Sequence, residues 1–239
     1  MEITSTNADL REDGESAFQD CMAEEIRGKS TLCTFFANFL NTTVPVGDGA
    51  YVEQLMASLT NLEPAADTIA AAAFAEARNE VAADATKAQE RLAVERTRYV
   101  LGLRVNNAVK PPFESLYLTP NDALDEIASV AGAYRQAGFQ LLPEANNRPD
   151  SLACELAFLA QLFQEQAQAL EAGDGQSAQS RQRSAIDFVA NHLGKWAPDF
   201  CEHVAAETDS AVFRLMMLLT QAFIEEELGG LIIGKQSQG

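Results

Sequence analysis

Histidine and tryptophan are almost missing from this 239-residue chain, with two and one copies, and acidic residues outnumber basic ones 35 to 17. The net charge of −18 argues against nucleic acid as the main partner, because neutralising phosphates takes clustered Lys and Arg. An acidic surface attracts basic peptides and also keeps a chain soluble, and charge alone does not choose between those roles. Only four cysteines occur, Cys21, Cys33, Cys154 and Cys201, and no two form a C-x-x-C pair. Three of them fall inside apolar helical patterns and are expected as buried free thiols. Without a disulfide framework a reducing, cytoplasmic location is expected, where the Asn41-Thr42-Thr43 sequon would stay idle. Residues 1–15 lack the basic-then-apolar order of a signal sequence, and apolar runs fall far short of the roughly 20 residues of a membrane span. No stable membrane insertion is expected.

Strand signals are scarce too, since no segment sustains period-two alternation between hairpin turns. Helical periodicity takes their place. Leu152, Leu156, Leu159 and Phe163 form one stripe, and Val212, Leu215, Met216, Leu219 and Phe223 another. Ile186, Val189, Ala190 and Leu193 mark a shorter helix, while Leu32, Phe35, Phe36 and Phe39 outline a first core helix. The alanine-rich stretch from Ala65 to about Leu103 predicts two helices or one broken one. Thr119-Pro120-Asn121-Asp122 reads as an N-cap with proline at the first helical position, and Asn147-Arg148-Pro149-Asp150 opens the next helix similarly. The resulting fold class is all-α, an irregular single-domain bundle of roughly eight to ten helices. Its expected limits are a disordered leader over residues 1–16, a helical domain over 17–228 with a flexible linker near 171–184, and a flexible tail over 229–239.

Motifs of catalysis are thin. Gly28-Lys29-Ser30-Thr31 has the end of a phosphate-binding loop, but Ala23 stands where the motif needs glycine and the surroundings read as helix. His192, Cys201, His203 and Asp199 were the best metal candidates, yet Cys201 and His203 point to different helix faces, so no metal and no cofactor are expected. No acid/base couple stands out among the carboxylates, and no enzyme is expected.

Four segments, in order, resemble the TorD/NarJ-type chaperones of bacterial molybdoenzymes. Glu95 to Leu103 (ERTRYVLGL) is similar to a family helix ending E-x-T-x-L-F-x-G, with Tyr99-Val100 in place of Leu-Phe. Pro111 to Leu118 (PPFESLYL) resembles P-P-Y-E-S-V-Y. Pro149 to Leu156 (PDSLACEL) resembles P-D-H-L-x-x-E-L, with Ser151 in place of histidine. His192, Leu193, Trp196, Pro198 and Phe200 follow H-L-x-x-W-x-P-x-F. The resemblance implies a cytoplasmic, all-helical chaperone, monomer or homodimer. It would bind the apo-form of a molybdoenzyme subunit through its twin-arginine signal peptide or N-terminal segment, and assist cofactor insertion before export. A receptor for guanidinium groups beside an apolar stretch needs fixed carboxylates next to a hydrophobic groove. The residues implied are Asp150, Ser151, Pro149, Glu114, Ser115, Arg98, Tyr99, Phe113 and Tyr117. Asp150, Glu114 and Ser115 have a plainer reading as cap or turn, Tyr99, Phe113 and Tyr117 as core, and Arg98 as a salt bridge to a neighbouring acid; Glu144 is expected on the same rim as Asp150. A general helical adaptor or regulatory interaction module is the alternative function.

Overall fold

The computed structural model describes residues 6–62, 69–103, 109–118, 123–140 and 148–236, with side chains omitted for 6–17, 61 and 230–236. The chain is all-α. Among the described residues ten helices run in order: α1 (Thr6–Asn41), α2 (Ala50–Leu59), α3 (Ile69–Ala83), α4 (Ala85–Tyr99), α5 (Glu114–Tyr117), α6 (Ala123–Gln136), α7 (Leu152–Glu171), α8 (Gly175–Asn191), α9 (Ala197–Glu207) and α10 (Ala211–Gln236). Single 3₁₀ turns cover Thr60–Leu62 and Leu193–Lys195. Among the described residues the only extended pairing is one antiparallel bridge, Phe113 with Ser151. No helix among them is long and apolar enough to cross a membrane.

The long apolar stripes form the centre. The α7 stripe buries Leu152, Leu156, Leu159, Leu162 and Phe163 against α1, which contributes Cys33, Phe36, Phe39 and Leu40. Ser30 joins the same interface by donating its hydroxyl to the Ala160 carbonyl at 2.8 Å. The phosphate-loop look-alike is therefore one turn of a packed helix, with no cradle of free backbone N–H groups. The α10 stripe buries Val212, Phe213, Leu215 and Met216 and packs against α3 and α9. One contiguous apolar cluster results.

The alanine-rich stretch is broken at Asp84, whose extended backbone and carboxylate, accepting from Lys87 N at 3.1 Å, cap α4. Three cysteines are buried free thiols, Cys33, Cys154 and Cys201, and Cys21 is exposed.

Among the described residues the first helix begins at Thr6 and the last ends at Gln236. Within 171–184, only Ala172–Asp174 leave helix. Asp174 caps α8 through Ser177 N and Oγ, and Arg181 ties it down to Glu165 and to the Ala137 carbonyl. Local capping and these tethers hold the start of α8. The Thr119-Pro120-Asn121-Asp122 cap lies outside the described residues.

Gly49 supplies a test of how tightly the α2 entry is set. It sits at φ +95°, and a Cβ there would lie 2.5 Å from Ala85 Cβ and 2.6 Å from the Ala85 carbonyl carbon. Strain and overlap add, so Gly49→Ala is expected to cost about 2–4 kcal/mol. A urea unfolding midpoint equal to the parent's would show that this junction tolerates a side chain.

Candidate functional site

Three of the four resemblance segments meet in space. Backbone bonds join the second and third: Glu114 N donates to the Asp150 carbonyl at 2.8 Å, and Leu152 N to the Pro112 carbonyl at 3.1 Å. That pairing explains why both segments begin helices at the same place, since each strand-like residue leads directly into α5 or α7. The sequence reading put Asp150 at the start of α7. Instead Ser151 is the N-cap, accepting from Cys154 N at 3.3 Å, and Asp150 caps the other helix.

Asp150 is fully buried. Its Oδ2 accepts from Ser115 N at 3.3 Å and Ser115 Oγ at 2.7 Å. Arg148 closes the arrangement with a two-pronged pair, Nε to Oδ1 at 3.0 Å and Nη2 to Oδ2 at 2.7 Å, and it reaches Ser115 Oγ at 2.8 Å. The guanidinium also lies 4.2 Å over the Phe113 ring. A planar fork, a carboxylate and an aromatic face make a strong charge-assisted assembly.

The third and fourth segments meet behind it. Glu114 is buried and pairs with His192 Nδ1 at 3.0 Å, and the His192 ring stacks on Phe188. Glu155, one turn into α7, is fully buried; its Oε2 accepts from Trp196 Nε1 at 3.4 Å, and its Oε1 has no hydrogen-bond partner. Glu155 faces Glu114, carboxylate to carboxylate, and Glu126 of α6 reaches Glu114 from the other side. Burial first, then the charge of Glu114, pushes the Glu155 carboxyl well above its ordinary range. Burial likewise raises Glu114, opposed by His192. Tyr134 donates to the Pro149 carbonyl at 2.7 Å, and burial raises its phenol. Tyr117 packs against Trp196 and Phe200, so those two rings are core and Tyr117 is half-buried over them.

The first segment lies elsewhere. Arg98 pairs with Glu95 at 2.7 Å and Asp209 at 3.7 Å, and Tyr99 is buried against Phe213. Glu95 accepts from Thr208 Oγ1 and Asp209 N, and Arg96 donates to the Leu40 carbonyl. This is a pin between α4, the α9–α10 turn and the end of α1. It adjoins the Pro111 segment at Gly102, at φ +67°, where a Cβ would lie 2.5 Å from the Pro111 ring. Of the expected residues, Phe113, Glu114, Ser115, Pro149, Asp150 and Ser151 are contiguous, Tyr117 borders them, and Arg98 and Tyr99 do not join. Glu144 lies outside the described residues. The discounted zinc set stays apart, with Cys201 buried and His203 exposed.

Sequence reading missed Arg148, Glu155, Glu126 and the pairing of His192. For Glu155 the signal was present: an acid at the step between Leu152, Leu156 and Leu159 falls on the apolar face of α7.

Buried polar groups thus tie helix starts together at this end of the bundle. Residues 60–202 match the nitrate reductase delta subunit family, and the chain belongs to that family, the NarJ/TorD-type group. Curated relatives carry the names of assembly chaperones. The perchlorate reductase assembly chaperone protein of Dechloromonas aromatica (strain RCB) is 28% identical over 116 residues, 48% of this chain and 51% of the relative. The chlorate reductase assembly chaperone protein of Ideonella dechloratans is 42% identical over 66 residues, 27% and 33% of the two chains. The selenate reductase assembly chaperone protein of Thauera selenatis is 40% identical over 72 residues, 30% and 36%. The chain thus spans about half or less of the length of these relatives. No solved structure matches it.

The Glu114–Glu155 contact has a measurable sign. A carboxyl raised in the folded state binds its proton more tightly there than in the unfolded chain. Stability is therefore greatest below the ordinary glutamate range and declines as pH rises through the raised folded values. Glu155→Gln keeps an acceptor for Trp196 and turns a donor toward Glu114. It is expected to unfold at a higher urea midpoint than the parent at pH 8, with the gap closing toward pH 4.5. A variant less stable than the parent at pH 8 would mean that the Glu155 charge is held favourably.

Proposed function

We propose that this chain is a non-catalytic maturation chaperone. It binds the N-terminal segment of the apo-form of a molybdopterin-containing oxidoreductase subunit, before export and in the cytoplasm. Family membership carries the reading, supported by relatives named for assembling perchlorate, chlorate and selenate reductases. The acidic chain suits a client segment bearing arginines.

The client rim is the surface where the PPFESLYL and PDSLACEL segments are zipped together. Phe113, Tyr117, Pro149 and Ser151 are partly exposed there and supply apolar and hydroxyl contacts. Asp150, Glu114 and Ser115 lie beneath and set the rim's shape. Because Arg148 already fills both Asp150 oxygens, a client guanidinium meets Asp150 only by displacing Arg148. Arg98 and Tyr99 act at most as a second patch beside exposed Val94, Leu101 and Leu103.

Titration calorimetry with a peptide copying the client's N-terminus, its twin-lysine analogue and a scrambled control tests this. Phe113→Ala removes the aromatic face under Arg148, and loss of an anchor worth about 1.5–3 kcal/mol weakens binding roughly 10- to 100-fold. Thermal unfolding of the same variant controls for folding. If the client peptide binds no better than the scrambled one, the general adaptor reading replaces this one. If Phe113→Ala binds as tightly as the parent, the rim lies elsewhere.

A further inference from the structure

Among the described residues, Gln166 of α7 is 4% exposed and its side-chain amide has no hydrogen-bond partner. A buried amide stays costly until its donor and acceptor are met. Gln166 lines a cavity of about 190 Å³ where α1, α7, α8 and α10 meet. Sites for whole small molecules run to roughly 300–1,000 Å³, so this volume suits a single inserted side chain. Phe163, Val189 and the partly exposed Ile26 and Ile186 give it apolar walls.

Charge at the cavity is an independent observation. Its lining carries one cation, Lys29, against two carboxylates, Glu226 and Glu227. Lys29 is committed: it pairs with Glu227 at 2.8 Å and lies 5.9 Å over the Phe163 ring. Glu226 is exposed and has no ion pair among the described residues. The cavity also stands apart from the client rim. Ala185, Ile186 and Val189 turn one face of α8 to it, while Asp187, Phe188 and Asn191 face α6 together with His192.

We infer that this cavity is a receptor for one arginine side chain presented by a partner protein. Apolar walls suit the aliphatic stem, and the guanidinium finds acceptors in Gln166 Oε1 and the Glu226 carboxylate. An aliphatic side chain would leave the Gln166 amide stranded, and an acidic one would meet two carboxylates. Lysine concentrates its charge on one nitrogen, whereas the guanidinium fork spreads five donors over a plane and serves separate acceptors. A chain of net charge −18 draws basic partners toward such a face. The site does not rest on which segment the rim binds.

Blocked arginine (N-acetyl-arginine N-methylamide) and its lysine, citrulline and norleucine counterparts, titrated into ¹⁵N-labelled full-length protein, provide the test. Nuclear magnetic resonance follows the Gln166 side-chain NH₂ pair, identified by its absence from the Gln166→Leu spectrum. Arginine is expected to move that pair along a saturable curve and to bind at least ~5-fold more tightly than each counterpart. Glu226→Gln, at an exposed position, should weaken arginine at least ~3-fold with an unchanged unfolding midpoint. Gln166→Leu should bind at least ~10-fold more weakly yet unfold in urea at or above the parent's midpoint, because no hydrogen bond is lost. Failure of arginine to shift the Gln166 pair overturns the site, and so does norleucine binding as tightly as arginine. A Gln166→Leu variant that unfolds well below the parent would mean that the amide is already paired within the bundle, which overturns it too.

Discussion

A carboxylate placed in the interior must find donors, and in this molecule Asp150 finds them on Ser115 and Arg148, in two pieces of chain 33 residues apart. Everything at that end of the bundle follows from satisfying it. Ser115 must turn its amide and hydroxyl inward, which starts α5 where it starts. The chain beside Asp150 must lie antiparallel to the Phe113 segment, so that α7 leaves in a fixed direction with Ser151 as its cap. Arg148 supplies the countercharge and brings an aromatic face with it. The Asp150 side chain is wholly buried but that of Arg148 is 40% exposed, so losing Arg148 costs less than the about 3–5 kcal/mol typical of a fully buried pair and more than an exposed pair contributes.

A second, separate pin works the same way. Glu95 satisfies the turn between α9 and α10, and Arg96 satisfies the end of α1, both from adjacent positions on α4. Apolar burial supplies most of the driving force but is indifferent to register, whereas these directional bonds specify which helix start meets which. Three of the four segments that resemble the family carry these pins, and there they mark architecture.

That distinction governs what was readable in the chain. The core helices were legible because Leu152, Leu156 and Leu159, or Val212, Leu215 and Met216, repeat at helical spacing, and burial follows spacing directly. The break at Asp84 was legible in kind but not in place, since a cap depends on one backbone conformation. Residues 175–184 are polar in composition, and the helix they begin, α8, is tied down by capping and by Arg181. The cluster of Asp150, Glu114 and Ser115 was legible through the resemblance alone. Its partners were not: the Arg148 pairing skips one residue, and the His192–Glu114 contact spans 78 positions. Periodicity carries no information at that range.

The thiols, finally, give the molecule a set of internal reporters. Cys33, Cys154 and Cys201 sit on α1, α7 and α9, each buried and each held above its ordinary ionisation range chiefly by burial. The nucleophilic species is the thiolate, so an alkylating reagent finds Cys21 first and reaches the others as their helices open. The order in which three slow alkylations arrive would rank the local opening free energies of α1, α7 and α9, without any engineered label.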